Sequence, residues 1–190
     1  MEQDLRQQER LLRQMQQTLI RRGPDQEGVF LTQQCAMAHT RLAVKDPQHG
    51  TQPMETTAGG ETYTIVYNGE LYNTAELRRQ LEQENVTFQT TCDTEVILQA
   101  YANWGPGCVE QFNGIFAFAV WEHSAKRLFL ARDRIGVKPL FYAKIPGGLV
   151  FGSEIKALLT HPEVPHEIDQ TGIAELLLMG PGRTPGYGVF

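Results

Sequence analysis

The spacing of apolar residues along the chain predicts five helical segments. Apolar positions three to four residues apart predict an amphipathic helix over residues 2–22, and Gly23 is expected to end it in a left-handed conformation. The same periodicity predicts further helices over residues 73–84, 94–104, 154–159 and 170–179. Asn73, with Glu76 three positions later, has the spacing of a capping box at the start of one of these helices.

Alternating and continuous apolar runs predict strands between the helices. Single strands are predicted over residues 28–33, 35–44 and 63–68, and Gly69 is expected to end the last of them. Two hairpins are predicted, one joining 115–121 to 127–132 and the other joining 140–145 to 149–152. The polar segment 45–61 is predicted to be a loop. Because strands and helices do not alternate regularly, the pattern favours an α+β fold with layered sheets.

Composition and charge exclude several classes of protein. The chain is 41% hydrophobic, which is typical of a globular protein, and its formal net charge of −5 argues against nucleic-acid and anionic-membrane partners. The longest apolar run, residues 115–121, is too short to cross a membrane. Three scattered cysteines predict neither a disulfide framework nor a zinc site, and the five histidines lack metal-ligand spacing. These features predict a soluble protein of a reducing compartment that binds no metal.

A few polar residues suggest a site for a zwitterionic amino acid. Arg41 lies in an otherwise apolar strand, where it either reaches solvent at a strand edge or pairs with a carboxylate. Asn68 and Gly69 form either a turn or two converging donors of an oxyanion hole. Asp93 either caps the following helix or binds a ligand, and Glu70 is a second carboxylate. In the ligand-binding alternative, Arg41 would bind an α-carboxylate and the two acids an α-ammonium group.

A series of longer strings resembles the N-terminal glutaminase domain of glutamine-hydrolysing asparagine synthetases. They occur in order over nearly the whole chain: Arg22-Gly-Pro-Asp25, His39-Thr-Arg-Leu-Ala43, Gln52-Pro-Met54, Tyr67-Asn-Gly-Glu-Leu-Tyr-Asn73, Asp93-Thr-Glu-Val-Ile-Leu98, Phe112-Asn-Gly-Ile-Phe-Ala-Phe118, Ala131-Arg-Asp-Arg-Ile-Gly-Val-Lys-Pro-Leu-Phe-Tyr142 and Phe151-Gly-Ser-Glu-Ile-Lys-Ala157. The segment from Ala131 to Tyr142 is closer to asparagine synthetases than to amidotransferases that make glucosamine phosphate or phosphoribosylamine.

The resemblance implies a class II glutamine amidotransferase domain of the N-terminal-nucleophile hydrolase type, a four-layer αββα sandwich. The domain would span residues 1–168 and lack its first strand, and residues 169–190 would begin a linker or synthetase domain. The family hydrolyses glutamine to glutamate and ammonia, and a C-terminal synthetase domain uses the ammonia, ATP and Mg²⁺ to amidate aspartate. The resemblance therefore implies L-glutamine and that domain as partners, no cofactor in this chain, a cytoplasmic location and a homodimer.

The resemblance also assigns roles to individual residues. The Asn68 side chain and the Gly69 N–H match the family's oxyanion hole, and Arg41 matches the clamp for the glutamine carboxylate. Glu70 and Asp93 match the carboxylates that recognise glutamine. The remaining pocket residues are Leu42, Ala43, Val44 and Lys45.

One departure from the family pattern concerns the nucleophile. The family uses an N-terminal cysteine, whose own α-amino group serves as base, whereas this chain begins Met1-Glu2-Gln3. Cys35, Cys92 and Cys108 are expected to be core residues. We therefore predict that the chain as given binds glutamine without hydrolysing it, and that strands beside the pocket keep an open edge. Two alternatives remain open: the amidotransferase part of another glutamine-dependent enzyme, and a non-catalytic glutamine-sensing module.

Overall fold

A computed structural model describes residues 4–43 and 49–180. Its α-helices are α1 (Glu9–Gln17), α2 (Thr74–Gln83), α3 (Asp93–Trp104), α4 (Ile155–Leu159) and α5 (Gln170–Met179). Its strands are β1 (Gln26–Leu31), β2 (Ala36–Arg41), β3 (Met54–Ala58), β4 (Glu61–Leu71), β5 (Gly114–Glu122), β6 (Arg127–Arg132), β7 (Phe141–Ile145) and β8 (Gly148–Gly152). Short 3₁₀ segments cover Leu5–Gln8, Ile20–Arg22 and Gly105–Gln111.

The elements form four layers around a central antiparallel sheet of order β3-β4-β5-β6. Helices α2 and α3 pack on one face of this sheet. The hairpins β1–β2 and β7–β8 cover the other face, and α1 and α4 pack outside the hairpins. The predicted α+β class and the αββα order of layers are confirmed, with one inner layer divided into two separate hairpins.

Strand β5 shows why the core lies on both sides of the central sheet. Its side chains point alternately to the two faces, as the pleat requires. Phe116 and Phe118 pack towards α2 and α3, whereas Ala119 and Trp121 pack towards the hairpins. The continuous apolar run of the sequence therefore fills two cores at once. None of the helices in the described ranges is long and apolar enough to cross a membrane.

Two predictions for the segment before α2 are wrong, one for a loop and one for the end of a strand. The segment predicted as a loop over 45–61 contains β3, which pairs with β4 through the turn at Gly59 and Gly60, both with positive φ. Residues 44–48 of that segment lie outside the described residues. Gly69 does not end its strand, because β4 continues to Leu71 and pairs Gly69 with Phe116. A Cβ atom at Gly69 would lie only 2.4 Å from the carbonyl oxygen of Ile115, so glycine permits the close approach of two strands here.

The turn after the first helical region also differs from its prediction. The predicted helix divides into α1 and two 3₁₀ segments within the described residues, and Gly23 has φ −151°, which is extended rather than left-handed. A Cβ atom on Gly23 would lie 2.3 Å from the carbonyl carbon of Thr40, so the turn packs directly on β2. Asp25 then fixes the end of β2, because its Oδ2 accepts a hydrogen bond from the N–H of Ala43 at 2.8 Å.

Asn73 occupies the predicted N-cap of α2, but the capping box is wrong because its side chain makes no cap hydrogen bond. Its Nδ2 instead donates to the Gln111 carbonyl at 2.9 Å, and its Oδ1 accepts from the Asn113 N–H at 3.0 Å. The amide therefore connects the end of β4 to the segment that enters β5.

The carboxylate of Asp133 holds together the loop that follows β6. Its two oxygens accept hydrogen bonds from the N–H groups of Val137 and Lys138, both at 2.9 Å, and of Phe116 at 3.3 Å. Burial alone would raise the pKa of Asp133, but these bonds and one from the Gly136 N–H together lower it below its ordinary value of 3.8.

We expect Asp133→Asn to lower the free energy of unfolding at pH 7 by about 2 kcal/mol, since an amide offers one acceptor oxygen and brings an NH₂ group towards the N–H donors. A carboxyl with a depressed pKa stabilises the fold above its unfolded pKa and loses that effect as the pH falls through its folded pKa. The difference between wild type and variant should therefore shrink below pH 3.8, as urea unfolding at several pH values would measure. Asp169→Asn is the control, because asparagine caps α5 as well as aspartate does. A constant difference down to pH 2 would contradict the prediction.

Candidate functional site

A cavity of about 1760 Å³ separates the two hairpins. Residues of β2 form one side of it and residues of β8 the other, while β4 and β5 form the floor. Among the described strands β2 pairs only with β1 and β8 only with β7, so each presents an open backbone edge. The cavity is therefore bounded by strand edges as well as by side chains.

Strand β2 directs Arg41 towards this cavity. Met37, His39 and Arg41 alternate along one face of β2, and Met37 packs against the central sheet. Arg41 is only 7% exposed, and its Nη1 donates to Gln26 Oε1 at 2.7 Å. The alternative of a solvated arginine at a strand edge is wrong. A buried guanidinium at the wall of a cavity suits an anionic group of a ligand.

Asn68 and Gly69 lie within β4, so the alternative that they form a turn is wrong. Asn68 and Glu70 share the face of β4 that carries Val66, which packs against the hairpin layer. Asn68 is half-buried and Glu70 is exposed. The Asn68 side chain is thereby directed to the cavity side of the central sheet, where it lines the cavity beside Gly69.

The register of β4 and β5 determines where the Gly69 N–H points. Phe116 pairs with Gly69, but its N–H donates to the Asp133 carboxylate and its C=O accepts from the Asp133 N–H. Both groups of Phe116 therefore point to the side of β5 that faces away from β4. Gly69 and Phe116 are therefore a non-hydrogen-bonded pair, and the Gly69 N–H points away from β5. The edge it points to is the part of β4 that β3 does not cover, because β3 ends its pairing at Ile65.

The neighbours of Gly69 on this edge are satisfied by side chains rather than by a strand. The N–H of Tyr67 donates to Gln52 Oε1 at 2.6 Å, and the N–H of Leu71 donates to Asp93 Oδ2 at 3.3 Å. The Gly69 N–H lies between these two donors on the same edge. The exposed part of the β4 edge thus presents a backbone donor next to the Asn68 amide.

Asp93 begins α3 but is not its cap. The N-cap residue is Cys92, so the capping alternative for Asp93 is wrong. Asp93 is 8% exposed, and its Oδ2 also accepts a hydrogen bond from the Tyr67 hydroxyl at 3.0 Å. A carboxylate held in this way is a negative group fixed at the cavity wall.

The structure brings most of the predicted site residues to one cavity. Those that line it are Arg41, Leu42, Asn68, Gly69, Glu70 and Asp93. Ala43 is not in this lining; its N–H binds Asp25 instead. Val44 and Lys45 lie outside the described residues, so their predicted place in the pocket stays a prediction.

Sequence reasoning missed His39, Gln52 and Tyr67. The Nε2 of His39 lies 3.0 Å from the Tyr67 carbonyl, which can only accept, so the ring donates from Nε2. Burial lowers the pKa of His39 to about 4, with a smaller contribution from the charge of Arg41, so the ring is neutral at pH 7. The position of His39 two residues before Arg41 was the one available signal, and the sequence offered none for the roles of Gln52 and Tyr67.

The described cysteines are buried thiols. Burial raises the pKa of both Cys35 and Cys108 to about 12, which makes their thiolates scarce at neutral pH. Cys35 lies in the turn between β1 and β2 rather than in the predicted strand, and Cys108 lies in a 3₁₀ segment. Cys92 is 2% exposed at the cavity, with its Sγ 3.0 Å from Thr90 Oγ1. All three are core residues, as predicted.

Comparisons with known proteins agree with this geometry. The model of the glutamine amidotransferase domain family matches residues 2–190. The chain is 51% identical to asparagine synthetase [glutamine-hydrolyzing] 3 of Bacillus subtilis over 93% of its own length, and 40% identical to asparagine synthetase 1 of the same organism over 80%. It spans 29% and 24% of the length of these two relatives.

A solved structure supports the fold. The glutamine phosphoribosylpyrophosphate amidotransferase of B. subtilis superposes with a TM-score of 0.59 and 24% sequence identity. The match covers 68% of this chain and 30% of that enzyme. At this identity the likeness supports the architecture of the sandwich and not the substrates.

Proposed function

The chain belongs to the glutamine amidotransferase domain family, and we propose that its cavity binds L-glutamine as the nitrogen donor of an asparagine synthetase. The observation that carries the proposal is a buried guanidinium and a buried carboxylate, Arg41 and Asp93, on separate elements that line one cavity. A cationic and an anionic side chain that line one cavity suit the α-carboxylate and the α-ammonium group of a ligand. A free amino acid supplies both in one small molecule.

Each end of glutamine has a counterpart in the cavity. The planar fork of Arg41 suits the α-carboxylate, and Asp93, together with Glu70 in the same lining, suits the α-ammonium group. The side-chain amide would then lie at Asn68 and Gly69. A nucleophilic attack on that amide carbon makes a negative oxygen, which the Asn68 Nδ2 and the Gly69 N–H would stabilise as an oxyanion hole.

The steps beyond glutamine binding belong to the proposal for the whole protein. The relatives are named asparagine synthetases, and this chain spans less than a third of their length. We propose that ammonia released from glutamine amidates aspartate in the remaining part, which would bind the ATP and Mg²⁺. The domain limit near residue 168 and the homodimer stay predictions. The three free cysteines support the proposed cytoplasmic location.

We expect the 190-residue polypeptide to bind one L-glutamine, as isothermal titration calorimetry would measure. D-Glutamine should bind at least about tenfold more weakly, since with its α-carboxylate at Arg41 and its α-ammonium group at Asp93 its side-chain amide cannot also reach Asn68 and Gly69. Absence of binding, or equal binding of the two enantiomers, would contradict the proposed function.

The same sample should release no ammonia, because its described cysteines are buried thiols. A coupled glutamate dehydrogenase assay measures this directly. Ammonia release that persists in Cys35→Ala and Cys108→Ala but disappears in Cys92→Ala would identify Cys92 as a nucleophile and contradict the expectation.

A further inference from the structure

Tyr67 connects β2 to α3 beside the cavity through three hydrogen bonds. Its carbonyl accepts from His39 on β2 at 3.0 Å, and its N–H donates to Gln52 at 2.6 Å. Its hydroxyl donates to Asp93 Oδ2 on α3 at 3.0 Å. Tyr67 is 5% exposed and packs in the core between β4 and the helices. Its backbone is therefore fixed on the hairpin side and its hydroxyl on the helix side.

The two carboxylate oxygens of Asp93 accept different numbers of hydrogen bonds from the described residues. Within the described residues both the Tyr67 hydroxyl and the Leu71 N–H donate to Oδ2. An oxygen with two donors is held in place, and the carboxylate cannot rotate without losing both bonds. This leaves Oδ1 for a donor in the cavity that Asp93 lines.

We propose that Tyr67 is a positioning residue that orients Asp93 to select ligands with an α-ammonium group. This inference rests on the proposed glutamine site and adds to it a residue that makes no contact with the reacting amide. Gln52 and His39 fix the Tyr67 backbone through hydrogen bonds. These two bonds hold β4 just before Asn68 and Gly69, and they also determine where the Tyr67 hydroxyl lies.

The hydroxyl remains a donor across the working pH range. Burial, together with the charge and hydrogen bond of Asp93, raises the pKa of Tyr67 well above its ordinary value of 10.0. The phenol is therefore never a base or a phenolate in this site. Its effect on ligands passes through Asp93.

The test compares L-glutamine with 4-carbamoylbutanoic acid, which is glutamine without its α-amino group. We expect Tyr67→Phe to weaken the binding of L-glutamine about tenfold and that of the analogue by less than about twofold. Competition measured by ligand-observed NMR reports millimolar affinities as well as tighter ones. A general loosening of the cavity would weaken both ligands alike, so the ratio of the two affinities separates positioning from structure.

Tyr101→Phe is the matched control. Tyr101 is also buried, and its hydroxyl also donates to a carboxylate, Glu122, but Tyr101 does not line the cavity. This variant loses a comparable bond and should keep the affinity ratio of the wild type. A second measurement uses Asp93→Asn, in which the further change Tyr67→Phe should alter glutamine affinity by less than about twofold.

The outcomes separate this inference from the proposed function. Wild-type protein that does not bind glutamine would refute the proposed function itself. Wild-type binding with an unchanged affinity ratio in Tyr67→Phe would overturn the role of Tyr67 and leave the glutamine site standing. Additive effects of Tyr67→Phe and Asp93→Asn would overturn it as well.

Discussion

The Arg41→Gln variant will bind the ligand L-glutamine about 100-fold more weakly than the wild type does. Arg41 is 7% exposed and lines the cavity, so its guanidinium interacts with a ligand carboxylate where water competes little. Truncating one partner of a buried, hydrogen-bonded charge pair costs about 2–5 kcal/mol, and 2.7 kcal/mol corresponds to about 100-fold in affinity. Calorimetric titration of the wild type and the variant under the same buffer measures this ratio.

Two further variants show whether the effect belongs to the site. Arg41→Lys keeps the charge but loses the planar fork, so we expect an intermediate loss of about tenfold. Arg127→Gln removes an arginine that pairs with Glu122 outside the cavity, and it should leave glutamine affinity unchanged. An Arg41→Gln protein that is folded by circular dichroism and binds glutamine within about twofold of the wild type would refute the proposed clamp.

The elements that the sequence predicts well are those whose local pattern of apolar residues already reflects how they pack in the fold. Helix α3 carries an apolar face at helical spacing and ends at Gly105, so its limits Asp93–Trp104 follow closely from the sequence. The hairpin of β5 and β6 joins strong apolar runs across a short polar turn. In such segments local preference and tertiary packing agree.

Strand β3 shows why other parts were missed. Its sequence, Met54–Ala58, is mostly polar, and two of its side chains are exposed. It is a strand because β4 offers it a partner edge, and this information does not lie in its own pattern. Gly69 was misjudged for a related reason, since the need for a glycine appears only when β5 lies against β4.

The residues of the candidate site also fall into a group that the sequence predicts and a group that it does not. Arg41, Asn68, Gly69, Glu70 and Asp93 belong to sequence motifs for which ligand binding was one open alternative, and all of them line the cavity. The roles of Tyr67 and its backbone partners follow from where β3 ends, because side chains take over the hydrogen bonds of the uncovered edge. These roles cannot be predicted without β3, which its own sequence pattern does not reveal.

Replacing Gly69 by alanine will lower the free energy of unfolding by about 3 kcal/mol. A Cβ atom there would lie 2.4 Å from the Ile115 carbonyl oxygen and 2.8 Å from both Phe116 Cα and Tyr67 Cε2. The first two are backbone atoms of the paired strand, so relief requires β4 and β5 to separate. Separation would also shift the Gly69 N–H and Asn68, so glutamine binding should weaken together with stability. Urea unfolding followed by circular dichroism measures the first effect, and calorimetry the second.

Gly107→Ala is the control that isolates the steric cause. Among the described residues other than its chain neighbours and the backbone of its own helix, no atom lies within 4 Å of a Cβ at Gly107, and its φ is not in the left-handed region. Alanine there removes freedom only from the unfolded chain, so the free energy of unfolding should stay the same or rise by about 0.5 kcal/mol. Gly69 is also in ordinary extended backbone, so without the contact to Ile115 its alanine variant would change stability in the same small, favourable direction. A Gly69→Ala protein as stable as Gly107→Ala would therefore contradict the close approach of β4 to β5 and, with it, the derived direction of the Gly69 N–H.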